Sequence, residues 1–368
     1  MKKALIISYN DLNNSGVPNV IFQTVKALHN EYAFDILIFK DDEYYYQRLI
    51  QDGIKVNLIK YKEDKPSGRI SKLFWWFYRM PKEHYLFMKQ LLKENDYSVI
   101  HSFKEYYSWP FFKAASEAGI KKRIFHCNVD LKRDLNSKHK WLNARNLRLS
   151  IRYASSLVGV SQFCCERSFG KKNYFVLHNC YDQNRFKFSD ALELSDNDLV
   201  ISQIGTFNEN KNQLFSLKIT EKIKGKYPDV KLNLLGGDSE SPYCQKLRDY
   251  IQLHNLEENV SLIDKCQNVE DYYKNSSFII IPSYSEGFSL VAIEAQACGV
   301  GVFASSCVPA EVNVGSVRFI DLDKGPEYWA DEICKTFEKQ KNTRKQYDLS
   351  PFSFERFKKD LEQIYDGK

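Results

Sequence analysis

Short apolar runs alternate with amphipathic stretches of helical length along the whole chain. In the first half, Ala4–Ser8, Phe34–Phe39, Lys55–Ile59, Val99–Ser102, Arg123–His126, Leu157–Val160 and Tyr174–Leu177 read as strands. Val20–Asn30, Pro81–Asn95 and Trp109–Ala118 read as helices between them. The second half repeats the style, with strands at Leu199–Ile204, Leu232–Leu235, Val260–Leu262, Phe278–Ile281 and Gly301–Ala304. Its helices are expected near Gln213–Tyr227, Pro242–His254, Val269–Lys274 and Ser289–Ala297. Strands apolar on both faces, alternating with helices, predict parallel sheets covered on both sides. Two successive series predict an α/β chain with two doubly wound domains, in which ligands gather beyond the carboxyl ends of the strands. A last segment places Phe354, Phe357, Leu361, Ile364 and Tyr365 on one helical face with no strand after it, so a terminal helix is expected.

Composition adds limits. The chain has 368 residues, 43 % hydrophobic and 27 % charged, which is ordinary globular usage and long enough for two cores. No apolar run approaches the ~18–20 residues that span a bilayer. The apolar start meets Asn10 and Asp11 at once, so it reads as a strand rather than a signal peptide. The acidic segment Asp190–Asp198 places a domain boundary near 183–198. Residues 1–189 hold 32 Lys and Arg against 18 Asp and Glu, a surplus of +14, while residues 190–368 carry −8. The first half is therefore expected to meet something anionic, unless the asymmetry is drift in surface charge. Nine cysteines without a Cys-x-x-Cys pair point to reduced thiols and against a metal site.

The segment Phe278–Gly299 carries the most chemistry. A buried strand ends at Pro282, a loop holds Glu286 and Gly287, and a helix runs from Ser289 toward Gly299. Gly287 lets the backbone approach a ligand. The amides of Phe288, Ser289 and Leu290 open the helix and make a natural phosphate site. Glu294 lies about 6–8 Å down the helix axis from those amides, about the distance from a diphosphate to the ribose of a nucleotide. One carboxylate would accept hydrogen bonds from a sugar, the other from ribose hydroxyls. Both could instead be solvated surface glutamates; the surrounding order of strand, Pro-Ser, Glu-Gly-Phe, small-residue helix and glycine favours the site.

Pro282-Ser283…Glu286-Gly287-Phe288-Ser289…Glu294-Ala295…Gly299 resembles the E-x7-E signature of retaining GT-B glycosyltransferases of family 4. Ile204-Gly205-Thr206-Phe207…Lys211-Asn212, Leu232–Asp238, Asn179-Cys180-Tyr181-Asp182…Phe186 and Val158–Ser161 resemble further family segments, in the family's order. The resemblance implies two Rossmann-like domains facing across a cleft: residues 1–188 for the acceptor, 189–350 for the donor, and a helix at 351–368 returning to the first. It implies a nucleoside-diphosphate sugar, with UDP expected, bound by Gly205, Thr206, Lys211, Gly287, Phe288, Ser289, Leu290 and Glu294. Glu286 would contact the transferred sugar, Glu294 the ribose, and Lys211 would neutralise the leaving diphosphate, so no metal and no other cofactor is expected. Thr206 stands where the family usually has an arginine, which removes one charged phosphate ligand, and Cys180 replaces a glycine.

In the first domain, Gly16 follows the first strand at the place of the family's glycine-rich loop, and a role near phosphates or acceptor is implied. His126 ends a strand where the family commonly has a histidine that touches the donor; His101 reads more simply as structural. The stretch Lys65–Lys82 mixes five consecutive large aromatic residues with cations. Arg69, Lys72, Trp75, Trp76, Arg79 and Lys82 are expected to meet an anionic membrane surface, the alternative being a buried helix with a solvated face. No nucleic-acid recognition motif is present. The expected reaction is sugar transfer with retention to a glycan carried on a polyprenyl diphosphate, for a capsule or exopolysaccharide, in a cytoplasmic enzyme at the inner membrane face. The rivals are a GT-B transferase for soluble acceptors, a nucleotide-sugar epimerase, and a catalytically weak partner subunit of another transferase.

Overall fold

Seven parallel strands form the first sheet: β1 (Lys2–Ile7), β2 (Tyr32–Ile38), β3 (Val56–Lys60), β4 (Val99–Ser102), β5 (Lys122–Cys127), β6 (Ser156–Gly159) and β7 (Phe175–Val176). Their order is β3-β2-β1-β4-β5-β6-β7. Six parallel strands form the second: β8 (Val200–Ile204), β9 (Lys231–Gly237), β10 (Val260–Asp264), β11 (Phe278–Ile281), β12 (Gly301–Ser305) and β13 (Val317–Ile320). Their order is β10-β9-β8-β11-β12-β13. The structure, a computed structural model, describes residues 1–8, 12, 16–131, 140–189, 194–264 and 268–367. Both are Rossmann-like sheets, and each reverses its strand order once, at β1/β4 and at β8/β11. Such switch points leave a crevice at the carboxyl edge because the helices on either side run to opposite faces.

The central strands are buried along their length: Ala4, Leu5, Ile6 and Ile7 on β1, and Phe278–Ile281 on β11. Helices cover both faces of the first sheet. On one side Val20, Ile21 and Val25 pack with Phe34, Ile36 and Ile124. On the other, Met88, Phe111 and Phe112 pack with Leu5, Ile7 and Phe125. The second core gathers Leu217, Ile223, Leu232, Leu234, Ile280, Trp329 and Phe337.

Strand β13 and the helices Tyr44–Gln51, Lys140–Tyr153, Gln162–Phe169 and Gly325–Gln340 add to the expected elements. β13 buries only Val317 and Ile320 at its two ends and exposes Arg318 between them, which is too short an apolar run to stand out at a sheet edge. Helix Gly325–Gln340 buries Trp329, Ala330, Ile333, Cys334 and Phe337, and its leading Pro326 sits in the first turn, where the missing N–H costs nothing.

Met1–Cys180 with Phe354–Lys368 form one unit, and Tyr181–Ser353 the other. The expected cuts at 188 and 350 thus move to 180 and 353. The residues after Cys180 are tied into the second unit: Tyr181 N donates to Phe352 O at 3.3 Å, Arg185 pairs with Glu270 at 2.6 Å, and Phe186 packs edge-on against Tyr273. The terminal helix Phe354–Asp366 buries Phe357, Leu361, Ile364 and Tyr365 in the first unit's core. Among the described residues the cysteines are free and buried, except Cys307, which is exposed; Cys266 lies outside them. No described helix is long and apolar enough to cross a membrane.

Candidate active site

The loops that leave β8 and β11 meet at the second sheet's switch point. Asn212 adopts a left-handed backbone, φ 59°, which asparagine tolerates better than most residues. Its amide Nδ2 donates to Pro282 O at 3.1 Å. Asn210 Nδ2 donates to Ser285 O at 2.9 Å, and Tyr284 N donates back to Asn210 O at 2.8 Å. These bonds lock the two loops together and bring Lys211 Nζ within 2.6 Å of Glu286 Oε1. The same oxygen accepts from Ser283 Oγ at 2.7 Å, and Ser305 Oγ holds Ser283 O at 2.6 Å. The Glu286 side chain is 9 % exposed and that of Lys211 28 %, so the carboxylate is buried and the ammonium beside it still reaches solvent.

Glycines allow the close packing beneath Lys211. Gly205 has φ +149°, and a Cβ there would lie 3.6 Å from Lys211 Cε, so the lysine stem lies across it. Gly236, φ +103°, is more constrained: its Cβ would fall 2.8 Å from Gly205 O. Gln203 Nε2 holds Lys211 O at 2.6 Å, and Ser216 Oγ holds Gln203 at 2.6 Å. Thr206 is exposed, and its carbonyl accepts from Gln213 Nε2 at 3.2 Å.

Helix Leu290–Ala297 follows, with Ser289 as an extended N-cap residue whose side chain makes no cap bond. Gly287, Phe288 and Ser289 are buried, and Phe288 packs on Phe352 with ring centroids 5.7 Å apart. Leu290 opens the helix, half-buried. The end is closed by Gly299, φ +78°, as the amides of Gly299 and Val300 donate to Gln296 and Ala295. Glu294 accepts a hydrogen bond from Tyr273 Oη at 2.6 Å. Burial pushes its carboxyl up to about 7, against the opposing pull of the Tyr273 bond and the Arg185 charge. Burial and the neighbouring carboxylate in turn push the Tyr273 phenol well above its ordinary value.

Gly16 and His126 lie in the first unit. Gly16 opens helix Gly16–Leu28, and a Cβ there would meet nothing within 4 Å, so no contact inside the protein requires glycine. Ser15 lies outside the described residues. His126 has no exposed surface. The aromatic stretch divides in two. Trp75 is 1 % exposed and belongs to the interior, which corrects its expected place at a membrane. Phe74 and Tyr78 are exposed by 61 % and 66 %, and Trp141, at 60 %, packs on Phe77. Lys72 and Lys82 are exposed, Trp76 is half-buried, and Arg79 is exposed but paired with Glu83 and Asp64. Nothing is described of the Arg69 side chain.

Sequence reasoning missed Tyr273, Asn210 and the Arg185–Glu270 pair, and it quoted Ser283 in the motif without its bond to Glu286. Tyr273 sits in an expected helix beside Tyr272, and nothing in the residue order marks which tyrosine turns inward to Glu294.

Residues 184–347 match the family described as Glycosyl transferases group 1, a stretch that includes Gly205, Lys211, Glu286 and Glu294. The matched stretch lies within the second unit. Among curated proteins, the chain is 23 % identical over 374 residues to the capsular polysaccharide biosynthesis glycosyltransferase CapH of Staphylococcus aureus, covering 98 % of each. It is 24 % identical over 265 residues to the putative glycosyltransferase EpsF of Bacillus subtilis, covering 67 % of this chain and 68 % of EpsF. Among solved structures, Anabaena Alr3699/HepE in complex with UDP and glucose superposes with a TM-score of 0.75 at 17 % identity, over 99 % of this chain and 100 % of that one. The two Rossmann-like sheets and these likenesses give the chain the GT-B fold.

Proposed function

We propose that the protein transfers a sugar from a nucleoside-diphosphate sugar, UDP-linked, to a lipid-carried glycan in surface polysaccharide synthesis, with retention at the anomeric carbon. The observation that carries this reading is the Lys211–Glu286 pair, held at the β8/β11 switch point with Glu294 on the helix that follows. A cation, a carboxylate and a helix N-terminus at one switch point support a ligand that carries phosphates and a sugar. The capsular relative and the UDP-bound neighbour support the substrate class.

In this reading the diphosphate draws Lys211 from Glu286 and takes its charge. The helix amides near Leu290 share the load. Glu286, kept in place by Ser283, accepts from a hydroxyl of the sugar, and Glu294 accepts from the ribose. The anomeric carbon–phosphate bond breaks, and the acceptor oxygen bonds to the carbon on the same face. The acceptor's proton passes to the departing phosphate oxygen. Lysine and backbone dipoles stabilise the charge that develops there, which needs no metal. The first unit rests on an anionic membrane through Leu73, Phe74, Tyr78 and Trp141, flanked by Lys72 and Lys82.

The test is a thermal-shift screen of the whole chain across nucleotides and nucleotide sugars, followed by transfer assays. A ligand that binds only the folded state raises Tm. UDP and one UDP-sugar are expected to do so, with transfer retained in EDTA; the absence of any shift would sink the reading.

A further inference from the structure

The second unit carries a cavity on the edge of its sheet opposite the Lys211–Glu286 pair, and the proposed transfer leaves it unassigned. Its volume is about 390 Å³, within the ~300–1,000 Å³ usual for small-molecule sites. Phe278, Gly301 and Val317 line it, and each is the first residue of its strand, β11, β12 and β13. The cavity therefore opens at the amino ends of these strands, whereas Glu286 follows the carboxyl end of β11.

Both walls are held by side chains that reach far along the chain. After helix Gly325–Gln340, Asn342 Nδ2 donates to Ser195 O at 2.6 Å and to Asp198 O at 3.1 Å. Arg344 Nη2 donates to Lys274 O at 2.7 Å and to Ser276 O at 2.8 Å. The alternate residues Thr343, Lys345 and Tyr347 line the cavity, so this stretch is anchored by one set of positions and presents the other. The facing wall is the turn before β13. There Asn313 Oδ1 accepts from the amides of Gly315 at 2.8 Å and Val317 at 3.0 Å, and buried Gln296 accepts from Val314 N at 2.9 Å. Walls fixed before a ligand arrives lower the ordering cost of binding. Glycine lets the lining side chains come close to the backbone. A Cβ at Gly301 would lie 3.2 Å from the Phe278 ring and 3.7 Å from Gln340 Nε2, and one at Gly315, φ +133°, would lie 3.1 Å from Tyr347 Cε1.

The lining has a definite chemistry. Tyr347 and Phe303 supply ring surface, while Gln340, Thr336 and Thr343 supply an amide and two hydroxyls. Two cations join them. Arg318 Nη1 donates to Glu332 at 2.9 Å and to Thr336 at 2.8 Å, while its Nη2 makes no hydrogen bond among the described residues. Lys345 Nζ lies 5.7 Å from the Tyr347 ring centroid, and no carboxylate pairs with it among the described residues. Lys335, Lys339, Lys341, Arg344 and Lys345 face only Glu338 in the stretch Lys335–Tyr347, inside the half of the chain that is acidic overall. Amides and hydroxyls both donate to and accept from sugar hydroxyls, and guanidinium and ammonium groups pair with carboxylate or phosphate. Aromatic rings pack on the C–H face of a sugar ring. A neutral ligand would leave Lys345 without a counter-charge.

We propose that this cavity is a second ligand site, for a small anionic sugar that bears a carboxylate or a phosphate. Lys345 and the unbonded edge of Arg318 take the anion. Gln340 and the two threonines take the hydroxyls, and Tyr347 takes the face of the ring. The site does not depend on the transferase reading.

The test is titration calorimetry of the whole chain with glucuronate, glucose 6-phosphate and glucose, with UDP present throughout to fill the proposed donor site. At least one of the two anions is expected to bind saturably, and at least about tenfold more tightly than glucose, the effect of one charged hydrogen bond. Lys345→Glu, at an exposed side chain, is expected to weaken that binding by about tenfold or more with Tm unchanged. Gln340→Trp, at the exposed end of its helix, is expected to fill the cavity and abolish it. Binding of glucuronate alone assigns the carboxylate, binding of glucose 6-phosphate alone assigns the phosphate, and binding of both shows that charge and ring suffice. No saturable binding by either anion, glucose binding as tightly, or affinities that both variants leave unchanged overturns the proposal. Every arm reads binding without turnover, so a chain that transfers no sugar but binds the anion upholds this site and rejects the transferase reading alone.

Discussion

Lys211 Nζ and Glu286 Oε1 stand 2.6 Å apart across the loops that leave β8 and β11, although 75 positions separate them. Each therefore has a partner before any ligand arrives. The arrangement gives each charge a partner, and in the proposed reaction an incoming diphosphate exchanges one anion for another at the lysine.

That exchange makes the two residues interdependent. Lys211→Ala and Glu286→Gln are each expected to lower kcat by about 100-fold, since each removes a group that acts on developing charge or on sugar position. The double variant is expected to be little slower than the worse single one, because residues sharing one partner are not additive. A transfer assay on all four proteins checks this; multiplied losses would show that the two act apart.

Gly236 sets the spacing beneath the lysine. Gly236→Ala puts a methyl 2.8 Å from Gly205 O at a φ of +103°. The expected cost is about 2–3 kcal/mol, or roughly 5–10 °C of Tm for a unit of this size. Calorimetry reads the stability, and UDP titration reads the loosened site. Gly16→Ala serves as the contrast: it meets no atom within 4 Å and is expected to leave Tm in place.

The alternation of apolar runs and helices was enough to name both sheets, because β1, β4 and β11 are buried on both faces and show it in their residues. The pair Glu286 and Glu294 was legible for a related reason: strand, loop and helix are consecutive, so local geometry orders them. The buried face of Tyr365 was legible from helical spacing, but its partner His101, 264 positions away, was not. Tyr273 was not legible: its partner Glu294 lies 21 positions away, and only the packed helices decide that Tyr273 and not Tyr272 meets it. Trp75 shows the converse failure, since a run of aromatics gives no phase, and Trp75 turned in while Phe74 and Tyr78 turned out.

The outward set carries the membrane prediction. The combined variant Phe74→Ser, Tyr78→Ser, Trp141→Ser is expected to lose most binding to vesicles of anionic phospholipid. Phe74 and Tyr78 lose little packing, being 61 % and 66 % exposed, so Tm is expected to stay close to wild type. Each exposed aromatic contributes on the order of 1 kcal/mol at a membrane interface, so the loss in partitioning approaches 100-fold. Co-sedimentation measures it. Equal binding by variant and wild type would place the contact elsewhere.

Glu294 gives the site a pH signature. In the proposed reaction ribose hydroxyls donate to the ionised carboxylate, while burial pushes the free group up to about 7, so donor binding is expected to tighten as pH rises. Below the midpoint affinity falls about tenfold per pH unit, and above about pH 8 it levels off. The nucleotide's own phosphate titrates in the same range, but it does so equally with Glu294→Gln, so the ratio of the two affinities isolates the carboxyl. Tyr273→Phe removes a bond that favours the charged form, and the midpoint is expected to move to higher pH. Stability runs the other way. The folded group titrates near 7 and the unfolded one near 4.5, so the folded chain holds the extra proton between them. The free protein loses stability as pH rises through that window, and Glu294→Gln abolishes this loss. Calorimetric titration with UDP from pH 5.5 to 8.5 and thermal melts over the same range read both slopes. Opposite signs for binding and stability in the wild type, both flattened in Glu294→Gln, are the expected result; a pH-independent affinity ratio would remove Glu294 from the ribose site.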